Sequence, residues 1–155
     1  MSSRKSSGSP STTSGPPPAS SWAAPPEFYL DENIAGRTIA RCLRDLGYIV
    51  HTPRELYGNR EAAEGTPDEV WLVDVAQHRW TVISRDTKIL ERPAEIAAYK
   101  TAKLHLILFP GQATAVMLVE AVHATLTEVC TVSARAVPGV WRAHRRRGQW
   151  ALAEL

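Results

Sequence analysis

Apolar residues fall along this chain in blocks that alternate between strand and helix periods. Phe28, Tyr29 and Leu30 form a short run of strand propensity, and the residues from Ile34 to Leu46 then place Ile39, Cys42, Leu43 and Leu46 on one helical face. Gly47 reads as a left-handed cap, and Tyr48-Ile49-Val50-His51-Thr52 as a second strand, parallel to the first in a βαβ unit. Residues 53–65 make a polar connection with Gly58 and Asn59, longer than most loops. Thr66-Pro67-Asp68-Glu69 then carries the marks of a helix start: Thr as N-cap, Pro at the first helical position and Glu three residues after the cap. That helix runs to about His78, and Val70, Trp71, Leu72, Val73, Val75 and Ala76 give it an apolar face broad enough for burial.

Trp80-Thr81-Val82-Ile83-Ser84 reads as a third strand, Ala94 to Ala102 as a short helix, and the apolar run Leu104 to Phe109 as a fourth strand stopped by Pro110-Gly111. A strand apolar on both faces belongs in the middle of a sheet. From Ala113 to Cys130, Ala115, Leu118, Val119, Val122, Leu126 and Val129 recur at helical spacing. The stretch from Val132 to Arg147 alternates loosely around Val137-Pro138-Gly139-Val140, where Pro-Gly suits a type II turn, so a hairpin or edge strand is expected there. This order predicts an α/β fold, a three-layer α/β/α sandwich around a mainly parallel sheet of four to five strands. The expected domain spans 27–147, between a tail at 1–26 and a C-terminal tail at 148–155, with no internal repeat.

Composition narrows the class. A length of 155 residues, 44% of them apolar, suits one domain with an ordinary core. Without 18 consecutive apolar residues, no membrane span is expected. Residues 1–26 hold nine Ser and six of the eleven Pro, with Arg4 and Lys5 their sole charges and no apolar core of a secretory signal, so a disordered tail is expected. Cys42 and Cys130 lack metal-ligand spacing and read as reduced core thiols of a cytoplasmic protein, while His51 and His105, each within an apolar strand, read as core histidines. Charge divides by segment: residues 27–130 carry eleven basic and fifteen acidic side chains, a balance of −4, whereas 131–155 carry five Arg against Glu154, a balance of +4. The basic end gathers at Arg142, Arg145, Arg146 and Arg147, which either form a solvated terminus or hold a phosphate backbone.

The acids suggest chemistry. Asp31 and Asp86 each follow a strand and Asp68 opens a helix, positions that a parallel sheet brings to its carboxyl edge, where open α/β sheets bind ligands. Capping explains part of this: Asp31 to Asn33 can cap the first helix, Glu69 closes a capping box and Asp68 complements the helix dipole. The box needs Glu69 alone, which leaves Asp68 for another use. Carboxylates gathered at one edge repel one another unless neutralised, and Mg²⁺ or Mn²⁺, which prefer oxygen ligands and retain waters, do this well. Scattered His and sparse Cys argue against zinc. A metal held there would position water, lower its pKa and stabilise charge on a phosphodiester.

Four pieces of the chain, in this order, resemble the PIN-like domains, and among them the compact branch that includes toxins of VapC type. They are Leu30-Asp31-Glu32-Asn33, Gly47-Tyr48-Ile49-Val50, Thr66-Pro67-Asp68-Glu69 and Ile83-Ser84-Arg85-Asp86-Thr87-Lys88. The match covers about residues 27 to 110, with the fold extending to about 147. The resemblance implies a Mg²⁺- or Mn²⁺-dependent endoribonuclease, the toxin of a toxin-antitoxin pair. Asp31 and Asp86 would be metal ligands, Asn33 would orient the first carboxylate, and Asp68 or Glu69 would supply the helix-borne acid. Glu32 and Lys88 would take supporting places, and Arg142, Arg145, Arg146 and Arg147 would grip RNA.

Lys88 departs from the pattern, standing where related sequences often place another acid; Asp74 and Glu91 are the available substitutes. One metal is therefore expected rather than two, and Lys88 is placed to contact substrate phosphate. Expected partners are RNA and a cognate antitoxin over the acidic edge, with a homodimer through the helices as a further option. Two other classes compete. A phosphoacceptor receiver domain would need a hydroxyl after the fourth strand, where Pro110-Gly111 stands, and would leave Asp68 idle. A non-catalytic interaction module would keep the fold while Lys88 marks a weakened metal site.

Overall fold

A computed structural model describes residues 15–31, 37–58, 68–85, 91–135 and 139–155. Five strands, β1 (Phe28–Leu30), β2 (Val50–His51), β3 (Thr81–Ser84), β4 (His105–Leu108) and β5 (Val140–Arg146), are joined by β6 (Gln149–Glu154). They form one sheet in the order β2-β1-β3-β4-β5-β6, parallel throughout except for antiparallel β6. The helices are α1 (Arg37–Asp45), α2 (Pro53–Tyr57), α3 (Asp68–His78), α4 (Pro93–Thr101) and α5 (Ala115–Ser133).

The period-2 alternation of each strand feeds two cores. On one face Phe28, Leu30, Ile83, Ile107 and Trp141 meet Ile39 and Leu43 of α1 and Leu118, Val122, Leu126 and Val129 of α5. On the other, Tyr29, Val82, Leu106, Leu108 and Val140 meet Val75 of α3 and Tyr99 of α4. The α/β sandwich is as the apolar pattern predicts, with β4 in the interior of the sheet. By length and composition α5 could cross a bilayer, yet its apolar stripe is spent on the first core, as in the core helix of a folded domain.

Three boundaries differ from expectation. The sheet has six strands, because Gln149–Glu154, expected as a tail, pairs with β5 from Arg146↔Gln149 to Trp141↔Glu154. The turn between them is Arg147-Gly148, both at positive φ (52° and 77°) as a two-residue hairpin requires, whereas Gly139 of the expected Pro-Gly turn lies just ahead of β5. The polar connection after β2 begins with α2, capped by Thr52, whose hydroxyl accepts from Glu55 N–H at 3.3 Å, with Pro53 in the first turn.

The third difference is at the N-terminal side, where residues 15–26 include a packed segment. Ala19 N–H donates to Leu46 O at 2.8 Å, Trp22 Nε1 donates to the Tyr48 hydroxyl at 2.9 Å, and that hydroxyl donates to Pro17 O at 2.9 Å. Ala19 is buried against Gly47, whose φ of 92° is the left-handed cap expected of it.

Candidate functional site

Asp31 directly follows β1, and its N–H continues the β1–β3 ladder by donating to Ile83 O at 3.1 Å. Its carboxylate therefore stands at the carboxyl edge, on the same face as Tyr29, which is the α3 and α4 face. Ser84, the last residue of β3, occupies the neighbouring place on that face, and its hydroxyl donates to Asp31 Oδ2 at 2.6 Å. Ser84 is 3% exposed and Asp31 half-buried, so the bond is largely shielded from water. A short bond to a carboxylate is of the stronger, charge-assisted kind and fixes the rotation of the carboxyl group.

The chain connectivity brings α3 to the same edge. Its last residue, His78, lies three positions before β3, so α3 runs back across the sheet against the strand direction. Its 11 residues span about 16 Å, longer than the roughly 10–13 Å of the three- and four-residue strands β1 and β3, so its first turn, with Asp68 and Glu69, is on the carboxyl-edge side of the sheet. Their side chains lie outside the described residues. Asp74 is about 9 Å farther along the axis, toward the amino edge, and is poorly placed to substitute for a missing edge carboxylate. Asp86, two residues after Ser84 in the chain, lies outside the described residues, as do Glu32, Asn33 and Lys88. Between Ser84 and Asp86, Arg85 donates from Nη2 to Gly111 O at 2.7 Å, tying the end of β3 to the turn after β4.

The arginines divide between the two faces. Leu108 is in register with Arg142, so Arg142 and, by alternation, Arg146 share the face of Asp31 and Ser84. Arg145 takes the other face, with Nη2 4.0 Å from Glu120 Oε2 and its guanidinium 5.9 Å from the Trp150 ring centre. All three are exposed, as is Arg147 in the turn. β5 is three strands from β1, about 14 Å across the sheet, so these cations flank the acid rather than pair with it.

The two strand histidines behave as packing groups. His51 stacks on Trp80 at 3.7 Å with Nε2 2.8 Å from Glu27 Oε1, and His105 places Nε2 3.0 Å from Arg135 O at the amino edge, opposite Asp31. Cys42 and Cys130 are free thiols.

Sequence reasoning gave Ser84 no role in the chemistry. Its signal was a hydroxyl at the last position of an otherwise apolar-rich strand, next in the sheet to the strand that Asp31 follows.

The described part of the donor set is oxygen-based, as a hard cation prefers: the oriented Asp31 carboxylate at the edge where α3 begins. Among the described residues no three His, Cys, Asp or Glu side chains gather, since most of the candidate acids fall outside them. Searches of curated proteins and of solved structures returned no match. The family model of the PIN-like domain matches residues 26–111, which run from the start of β1 through the turn after β4 and include every candidate acid. PIN-like domains are generally nucleases that use divalent metals. With more than half of its length matched, and with β1, α3 and β3 converging on one acidic edge, this chain belongs to the PIN-like domain family.

Proposed function

We propose that this chain is a Mg²⁺- or Mn²⁺-dependent endoribonuclease acting at the carboxyl edge of the sheet. The observation that carries this reading is the Asp31 carboxylate, held by the Ser84 hydroxyl at 2.6 Å on the edge where α3 begins. Asp31, Asp86 and Asp68 would hold the ion, with Glu69 as the alternative helix-borne acid. Once bound, the ion would supply an activated water and charge stabilisation at the scissile phosphate. The protein's part is orientation: Ser84 fixes Asp31, Asn33 and Glu32 support it from the following segment, and Lys88 contacts phosphate. Arg142, Arg146 and Arg147 track the RNA backbone beyond the site.

On this reading the chain is the toxin of a toxin-antitoxin pair of the VapC type, active in the cytoplasm, with the antitoxin covering the acidic edge. The rival is a non-catalytic module in which Lys88 has cost the site its metal.

Purified protein is incubated with a mixed RNA substrate and Mn²⁺, Mg²⁺ or EDTA, beside Asp31→Asn and Asp86→Asn variants whose folding is checked by thermal melt. Cleavage that needs metal and is lost in both folded variants supports the proposal. Separating clustered carboxylates from their charge leaves the melt unchanged or higher while activity falls. Cleavage that persists in EDTA overturns the metal mechanism, and no cleavage together with no metal-induced rise in melting temperature leaves the binding module.

A further inference from the structure

β6 is the outer strand of the sheet, and its free side is a regular row of backbone groups. In the β5–β6 ladder Arg146 and Gln149 flank the two-residue turn, and Leu155 N–H donates to Val140 O at 2.8 Å. Hydrogen-bonded pairs recur every second residue, so odd-numbered β6 residues turn their backbone groups toward β5. The N–H and C=O of Trp150, Leu152 and Glu154 point away from it, and among the described residues nothing bonds them.

Edge strands normally carry protection such as Pro, Lys, a bulge or very short length. The opposite edge is protected in this way, since β2 has two residues. β6 has six residues in unbroken register, without Pro or Lys, and Trp150, Ala151, Leu152 and Ala153 are half-buried.

We propose that β6 pairs antiparallel with β6 of a second copy of this chain, across a two-fold axis at Leu152. The outward groups dictate this register. Hydrogen-bonded pairs must join outward-facing residues, and only the alignment Trp150 to Glu154, Leu152 to Leu152 and Glu154 to Trp150 uses all three from each copy. The contact is isologous, as a closed dimer requires.

Charge supports the same register. Trp150, Leu152 and Glu154 lie on the α1 and α5 face, where Arg145 is the cross-strand neighbour of Trp150. Pairing brings Glu154 of the second copy to the other side of Trp150, so Arg145, Trp150 and that carboxylate line up across the sheet. Adjacent strands are about 4.8 Å apart, so the long Arg145 side chain reaches over the indole, which it already approaches. Its partner within the chain, Glu120, is a loose contact at 4.0 Å. On the opposite face Ala151 meets Ala153 of the second copy, small residues that let the backbones approach. The two sheets become continuous, and their acidic edges point in opposite directions, so each copy has a separate site. The inference does not rest on the nuclease reading.

The test is the mass of the full chain in solution, by light scattering and sedimentation over a range of concentrations. The expected result is a dimer that dissociates on dilution. Leu152→Pro removes an outward N–H on an edge strand while leaving the β5 ladder intact, and gives monomer. Glu154→Arg weakens the dimer at least about tenfold, and the exchange Glu154→Arg with Arg145→Glu restores it. A monomer at every concentration overturns the proposal. So does a dimer indifferent to both Leu152→Pro and Glu154→Arg. Should Leu152→Pro melt early, the charge exchange decides alone.

Discussion

Ser84 and Asp31 lie side by side at the ends of adjacent parallel strands, with the serine hydroxyl 2.6 Å from the carboxylate oxygen Oδ2. The consequence is that the key acid is oriented by the sheet itself rather than by a loop. On the proposed reading, in which Asp31 would hold the ion, the Ser84 hydroxyl would act on metal affinity, and losing such a partner typically costs about 10- to 100-fold in affinity or activity. Ser84→Ala should therefore raise the metal concentration needed for half-maximal RNA cleavage by about that factor, with a smaller fall at saturating metal. Stability should drop by about 1–2 kcal/mol, since one buried charge-assisted hydrogen bond is lost. Ser84→Thr, which keeps the hydroxyl, should restore most of the metal response. A metal titration unchanged in Ser84→Ala would remove this positioning role.

The position of Asp31 was legible because two local rules agree: an apolar run reads as a strand, and an acid just past it reads as a strand end in an α/β order. Ser84's partnership was not, since it depends on β3 lying beside β1, and strand order is a long-range fact. At the other end, the run Arg145-Arg146-Arg147 hid a hairpin. Exposed arginines on alternate faces of β5 read as a charged terminus, while Pro138-Gly139 offered a more familiar turn. In the N-terminal segment, the Ser and Pro content masked Ala19 and Trp22, which pack because Gly47 and Tyr48 give them a surface.

That packed segment makes a second prediction. Trp22 and Ala19 reach the first core through Tyr48, whose hydroxyl accepts from Trp22, donates to Pro17 O and lies 3.5 Å from Cys130 Sγ. Trp22→Ala removes a half-buried indole and one of these bonds, and should cost about 1–3 kcal/mol, below the range for a fully buried aromatic. Deleting residues 1–22 should cost at least as much, although the family match begins only at residue 26. Denaturant melts of the two variants measure this; equal stability to the full chain would mean the segment does not hold the domain.

The same neighbourhood sets an alkaline limit. Burial pushes the Cys42 thiol up, with Asp45 adding to it, and burial pushes Cys130 up against the opposing effect of its bond to Tyr48. Burial also raises the Tyr48 hydroxyl. Unfolded thiols titrate near about 8.5, so above that pH the unfolded chain has lost protons that the folded chain still holds. Because the unfolded state then binds fewer protons, stability is full below about pH 8.5 and falls as pH rises through the folded values. The melting temperature should decline on the alkaline side, and Cys42→Ser with Cys130→Ala should flatten the decline. A melting temperature that is level or rising there would contradict the assignment.

The arginines supply the sharpest separation between RNA contact and structure. Arg142 and Arg146 share the face of Asp31 and Ser84, while Arg145 lies across the sheet beside Glu120 and Trp150. On the proposed reading, an RNA strand seated at the carboxyl edge on the α3 face would pass the first two and miss the third. Each phosphate contact contributes counterion release, so losing one should lower the slope of log affinity against log salt by about 0.7 for a single strand. Arg142→Ala and Arg146→Ala should each show that reduction and weaken binding of unrelated sequences to a similar extent, because phosphate contacts carry no sequence information. Arg145→Ala should leave the salt slope unchanged and weaken self-association instead. Binding titrations on a metal-free, uncleaved RNA at several salt concentrations separate these outcomes. Equal loss of slope in all three variants would mean that the basic end acts as a diffuse cloud, and that the division of β5 between two faces has no bearing on RNA.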